Sequence, residues 1–193
     1  VGREPVIDVA RRFGVSPDLQ PYPSLALGSM EARLLDVVRA YAGIANLGEV
    51  PEPYLVSAVR DRDGRLLQTH EVRRERVMAA PPVYLMLHVM RGVIARGTAA
   101  SASSLPADLA GKTGTTDDLT DAWFVGSTPL ITVGVWVGRD VKTPIGPGMT
   151  GGAAALPIWR RFMADYLESL RAADRRERFP VPAGVVFAPV DRM

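Results

Sequence analysis

Apolar positions along this chain fall into two rhythms, one of period near 3.6 and one of period two, and they predict different elements. The helical rhythm is clearest over residues 31–47, where Leu34, Val38, Tyr41 and Ala45 recur on one stripe widened by Leu35 and Ala42. Ser29 is placed to cap that helix and Gly48 to stop it. A second helix opens at Pro81-Pro82, carries Val83, Leu87, Met90 and Ile94 at spacings of four, three and four, and ends at Gly97. A third spans about residues 154–170, with Trp159, Phe162, Met163, Tyr166 and Leu170 as its apolar stripe. A short helix over residues 5–13, broken at Gly14, precedes a proline-rich segment at 17–23.

Alternation takes over in the second half. Ile131, Val133, Val135 and Val137 share one face of a strand over residues 130–138, while Gly134 and Gly138 thin out the other. Residues 122–127 form a preceding strand, joined to it through a Thr128-Pro129 turn, and the segment around Lys112 makes a third, so an antiparallel meander is expected. Residues 53–70 read as a hairpin turning at Asp61-Arg62-Asp63-Gly64. The charged run 71–76 reads as solvated surface, and Gly- and Pro-rich residues 143–152 as a loop feeding the last helix. His88 is expected on or beside the buried face of its helix. The fold class predicted is α/β (α+β), an antiparallel sheet flanked by helices. Residues 1–170 form the body and 171–193 an exit linker.

Composition narrows the chemistry. With 193 residues and 47% hydrophobic content, the chain is long enough for one cored domain. Net charge is +2, and its 21 arginines are dispersed among acids, so no nucleic-acid partner is expected. Cysteine is absent and histidine is limited to His70 and His88, which leaves no material for thiolate metal sites, thiol catalysis or multi-histidine centres. No cofactor and no metal are expected. No apolar run approaches a membrane span. The sequence begins at Val1 without an initiator methionine, so a segment is expected to have been removed or to lie outside it.

Only two lysines occur, Lys112 and Lys142, and the first sits in Gly111-Lys112-Thr113-Gly114-Thr115-Thr116. On an extended backbone Thr113 and Thr115 share one face and Lys112 and Gly114 the other. Two hydroxyls then line up as donors for a carboxylate, with an ammonium beside them to add charge-assisted attraction. Gly114 leaves room for a close backbone, and an unpaired strand edge can hold an extended peptide by main-chain hydrogen bonds. Such chemistry suits a peptide with a terminal carboxylate. Alone, the stretch also fits an ordinary polar strand end.

Six segments in order add to it: Tyr22-Pro-Ser-Leu-Ala-Leu-Gly28, Arg96-Gly-Thr-Ala99, Gly111 to Thr116, Asp121-Ala-Trp-Phe-Val-Gly126, Gly134-Val-Trp-Val-Gly138, and Thr150-Gly-Gly152 with Pro157-Ile-Trp159. Together they resemble the transpeptidase domain of class A penicillin-binding proteins over nearly the whole chain. That family has three active-site motifs, Ser-x-x-Lys, Ser-x-Asn and Lys-Thr-Gly, of which only the last occurs here. Leu109 and Arg139 stand three residues before the two lysines, and Ile44 stands two before the only asparagine, Asn46. The resemblance therefore implies the C-terminal portion of a penicillin-binding transpeptidase or serine β-lactamase-like fold, residues 1–170, incomplete because the N-terminal half of the domain is absent.

For the parent protein the resemblance implies a peptidoglycan D,D-transpeptidase that cross-links stem peptides through an acyl-enzyme. Its partners would be the D-Ala-D-Ala stem peptide and, in the complete domain, β-lactams. It also implies a membrane-anchored enzyme on the periplasmic or extracytoplasmic side. On this resemblance Lys112 and Thr115 take catalytic roles, and Thr113, Gly114 and Thr115 bind substrate. Lys112 is the cation near the missing serine, and the Thr115 N–H is one oxyanion donor. Trp123 is expected to be a core residue. The isolated chain is expected to be inactive, unlabelled by penicillin, and, with its open edge and uncovered apolar surface, to associate or be marginally stable unless the missing half is present. A non-catalytic binding module derived from such a protein, and a related D,D-carboxypeptidase or β-lactamase, remain alternatives.

Overall fold

In the computed structural model, residues 2–15, 19–175 and 177–189 are described. Three strands form the central sheet: β5 (Ala110–Thr115), β6 (Ala122–Ser127) and β7 (Thr132–Val137), antiparallel in the order β5-β6-β7. This is the meander that the alternation predicts. The register pairs Thr113 with Phe124 and Phe124 with Val135, and Lys112 with Val125 and Val125 with Gly134. One face therefore carries Thr113, Thr115, Phe124, Val133, Val135 and Val137, and the other Lys112, Gly114, Trp123, Gly134 and Trp136.

Helix α4 (Leu156–Ser169) covers the first face. Its buried stripe is Leu156, Trp159, Met163 and Leu167, with Trp159 edge-on to Phe124 at 4.9 Å and its indole N–H donating to the Val133 carbonyl at 3.1 Å. Gly126 makes this contact possible, since a Cβ there would lie 2.6 Å from the Trp159 ring. Phe162 does not join the predicted stripe. It is 48% exposed and stacks on Tyr166, because Leu167, a full turn beyond Met163, fills the place against the core.

Helix α2 (Leu34–Ala45) lies on the opposite face, with Val38 and Leu34 over Gly134, which has no side chain to hold them off. Its most buried residues are Asp36, Ala40 and Gly43 rather than the predicted stripe, and Leu35 is exposed. The physical reason is a second contact. A Cβ on Gly43 would meet Val50 at 2.7 Å and Phe13 at 3.1 Å, so the small-residue side of α2 is pressed between helix α1 (Arg3–Arg12) and strand β1 (Glu49–Pro51). Ser29 is not its cap. The Ser29 hydroxyl bonds Ser24, and α2 begins five residues later, where Arg33 forks onto Asp36 at 2.9 and 3.1 Å in the first turn.

Helix α3 (Ala80–Arg96) buries Val83, Tyr84, Leu87, Met90 and Ile94, as its spacing predicts, and packs beside β5 around Ala110. His88, expected on or beside the buried face, is exposed, next in the chain to buried Leu87. The hairpin forms from β2 (Ala58–Arg60) and β3 (Leu66–Thr69), with Asp61 accepting the N–H groups of Asp63 and Arg65 to close the turn. Part of the run read as solvated surface is a strand, β4 (Arg74–Arg76), paired with β1. Downstream of the body, Phe179 is 4% exposed and its N–H donates to Asp108, itself ion-paired to Arg91 at 2.8 Å. No helix among the described residues is long and apolar enough to cross a membrane.

Candidate active-site strand

Strand β5 is an edge strand, with β6 on one side and no strand on the other among the described residues. The Thr116 N–H donates to the Asp121 carbonyl at 3.2 Å, fixing 116 and 121 as a hydrogen-bonded pair. Antiparallel pairing alternates, so the backbone N–H and C=O groups of Thr113 and Thr115 point away from β6 to the open edge. The Lys112 ammonium bends along that edge and donates to the Thr113 carbonyl. Lys112 is exposed, and no carboxylate among the described residues lies within ion-pair distance of it.

Both threonine hydroxyls have partners from separate segments. Thr113 Oγ1 lies 2.8 Å from Thr98 Oγ1, and Thr115 Oγ1 accepts the Gly151 N–H at 2.9 Å. Gly151 opens a π-type turn (Gly151–Ala155) in which Thr150 Oγ1 accepts from the Ala153 N–H. A Cβ at Gly151 would lie 2.4 Å from the Trp123 carbonyl oxygen and 2.5 Å from that of Gly114, so only glycine fits against the sheet. The strand's exit is tied down too. Thr116 Oγ1 accepts the N–H groups of Thr120 and Asp121, while Asp121 accepts from the Thr120 hydroxyl and from the Trp136 indole at 2.8 Å.

On the Lys112 side, a groove of about 740 Å³ opens between the sheet and the 19–41 region, lined by Tyr41, Lys112, Thr115, Asp121, Trp123 and Trp136 among others. Burial pushes the Tyr41 phenol above its ordinary pKa. Trp123, expected in the core, is half-buried on the groove wall and lies 6.3 Å from Trp136, centre to centre. Every site residue predicted from sequence lies on one strand and borders this groove, Lys112 and Gly114 from the near face of the strand and Thr113 and Thr115 from its other face. Sequence reasoning assigned no role to Thr98, Gly151 or the Asp121–Trp136 bond. The resembling segments at 96–99, 121–126 and 150–152 hold these residues, but nothing in their spacing says that they converge on β5.

Residues 19–164 match the family described as the penicillin-binding protein transpeptidase domain. The chain belongs to that family. Penicillin-binding protein 1A of Aquifex aeolicus is 41% identical over 182 residues, covering 94% of this chain and 24% of the relative. That of Neisseria gonorrhoeae is 37% identical over 183 residues, covering 91% and 22%. This transpeptidase-family chain thus spans about a quarter of the length of the curated relatives it matches. Among solved structures, penicillin-binding protein 1A from Haemophilus influenzae superposes with a TM-score of 0.89 at 23% identity, over 98% of this chain and 34% of that one. The PonA1 protein of Mycobacterium tuberculosis in complex with penicillin V gives 0.73 at 23% identity, over 95% and 54%. These likenesses carry the expected antiparallel-sheet and helix fold.

Proposed function

We propose that this chain supplies one wall of the active-site cleft of a peptidoglycan D,D-transpeptidase of the penicillin-binding type. The observation that carries this reading is the free edge of β5, where Lys112 and the hydroxyls of Thr113 and Thr115 lie within one six-residue strand. A stem peptide ending in D-Ala-D-Ala lies along that edge as an added strand, its main chain bonding the outward N–H and C=O groups. Its terminal carboxylate takes hydrogen bonds from Thr113 and Thr115, with Lys112 as the nearby cation. Gly114 keeps the strand slim enough for the close approach.

The reaction is acyl transfer. A serine outside these 193 residues attacks the penultimate D-alanyl carbonyl, its proton passing to a base, and the Thr115 N–H helps hold the oxyanion. The C–N bond breaks, D-alanine leaves with a proton, and an amine of a neighbouring stem peptide takes the acyl group and frees the serine. Periplasmic or extracytoplasmic placement with a membrane anchor, and acylation by β-lactams, belong to the same reading.

Fluorescent penicillin labelling tests it. The natural full-length protein should form a denaturation-resistant labelled band, Lys112→Ala should lose at least about 100-fold in labelling rate, and the isolated 193-residue chain should stay dark. A labelled band from the isolated chain, or full labelling of Lys112→Ala, would sink the assignment.

A further inference from the structure

We propose that Thr98, together with the Gly151 N–H, sets the direction in which the Thr113 and Thr115 hydroxyls donate, and so makes the β5 edge selective for a free carboxylate over a neutral end group. The inference rests on the transpeptidase reading and assigns Thr98 as a positioning residue within it.

A hydroxyl has one proton to give and two lone pairs. Gly151 N–H donates to Thr115 Oγ1 at 2.9 Å, and an N–H cannot accept in return, so the Thr115 proton is left for another acceptor. Thr113 and Thr98 are 2.8 Å apart, oxygen to oxygen, and either can be the donor. With a carboxylate on the edge, the Thr113 proton is drawn to it. Thr98 must then donate into Thr113, which leaves both strand hydroxyls feeding protons to the same anion. A carboxylate accepts both. A carboxamide or ester end presents weaker acceptors without charge, and gains less from the same arrangement.

Thr98 is held for this task by its own corner. Gly97 and Ala99 both donate N–H bonds to the Val93 carbonyl, at 3.1 and 3.2 Å, and a Cβ at Gly97 would lie 2.8 Å from the Val93 backbone, so the turn after α3 is closed tightly. Ala99 is fully buried, anchoring the next residue in the core. Thr98 itself is exposed, so its hydroxyl contributes little to the core and has Thr113 as its partner. The Thr98 carbonyl also lies 3.4 Å from the Cβ position of Gly152. The corner at 96–99 and the turn at 150–152 therefore meet beside the same pair of hydroxyls, one orienting each.

The test uses the natural full-length protein and two probes, benzylpenicillin and its methyl ester, with acylation split into an apparent dissociation constant and a limiting rate. Thr98→Val keeps the shape and removes the hydroxyl. It should weaken the apparent affinity for the free acid about 3- to 10-fold while leaving the limiting acylation rate and the ester reaction unchanged, and Thr98→Ser should restore the parent behaviour. Circular dichroism and a thermal melt establish that Thr98→Val is folded; if it is not, Thr98→Ala reads the same ratio of acid to ester. A Thr98→Val protein that reacts as the parent does, or that loses acid and ester equally, overturns the inference while a Lys112→Ala loss keeps the transpeptidase reading. A parent protein that no penicillin acylates overturns both.

Discussion

Gly151→Ala is the sharpest single perturbation of the packing that places the site. An added Cβ would sit 2.4 Å from the Trp123 carbonyl oxygen, 2.5 Å from that of Gly114 and 3.1 Å from the Gly114 nitrogen. All three are backbone atoms of paired strands, so no rotamer change relieves the contact, and the turn must retreat by about 1 Å to reach ordinary van der Waals distance. Retreat stretches the 2.9 Å Gly151–Thr115 bond past its useful range. Overpacking of about 1–3 kcal/mol and a lost hydrogen bond of about 1 kcal/mol give about 2–4 kcal/mol of destabilisation. The neighbouring Gly152→Ala is the internal control. Its Cβ would find nothing closer than 3.4 Å, and the smaller entropy of an unfolded alanine makes it neutral to about 1 kcal/mol stabilising. Equilibrium urea unfolding of the two variants, with midpoint and slope both fitted, separates the cases. In a thermal melt the same difference appears as a fall of roughly 4–16 °C for Gly151→Ala. Equal midpoints for the two variants would refute the claim that only glycine fits against β5 and β6.

Three further outcomes are expected. Trp159→Ala, which empties the fully buried centre of the α4 layer, should cost about 3–5 kcal/mol, and Trp159→Phe less, since it keeps an aromatic ring on Phe124 but forfeits the bond to Val133; unfolding midpoints in that order check it. Because burial raises the Tyr41 pKa above 10.0, the unfolded chain loses that proton first, so stability is unaffected below pH 10 and declines as pH rises above it. Tyr41→Phe should flatten that decline, and an unchanged slope above pH 10 would count against the burial argument. Light scattering of the isolated chain should show association that grows with concentration, given the open edge of β5 and exposed Leu27 and Trp136 on the groove; a clean monomer at high concentration contradicts it.

What the sequence by itself determined is everything that local periodicity and local chemistry encode. The stripe Val83, Leu87, Met90 and Ile94 fixes which side of α3 is buried, because a helix returns to the same face every three to four residues regardless of its neighbours. Alternation and the Thr128-Pro129 turn fix the β6–β7 pairing, and alternation along β5 puts Thr113 and Thr115 on one face of that strand. The candidate site residues were legible because all of them lie on that one strand.

Tertiary structure decided what depends on two distant segments meeting. Helix α2 has two sides able to pack, one of them small residues, and only the presence of Val50 and Phe13 against Gly43 chose how deeply each is buried. Strand β4 exists because Glu49–Pro51 offers it backbone partners, which its Arg-Glu-Arg side chains do not announce. The same holds for Thr98 and Gly151. Each reads locally as a turn residue, and each gains its role from a hydroxyl 15 and 36 residues away in the chain, brought to 2.8 and 2.9 Å by the packing of α3 and of the turn before α4 on the edge of one sheet. A hydrogen bond depends on separation in space, and a sequence pattern records only separation along the chain.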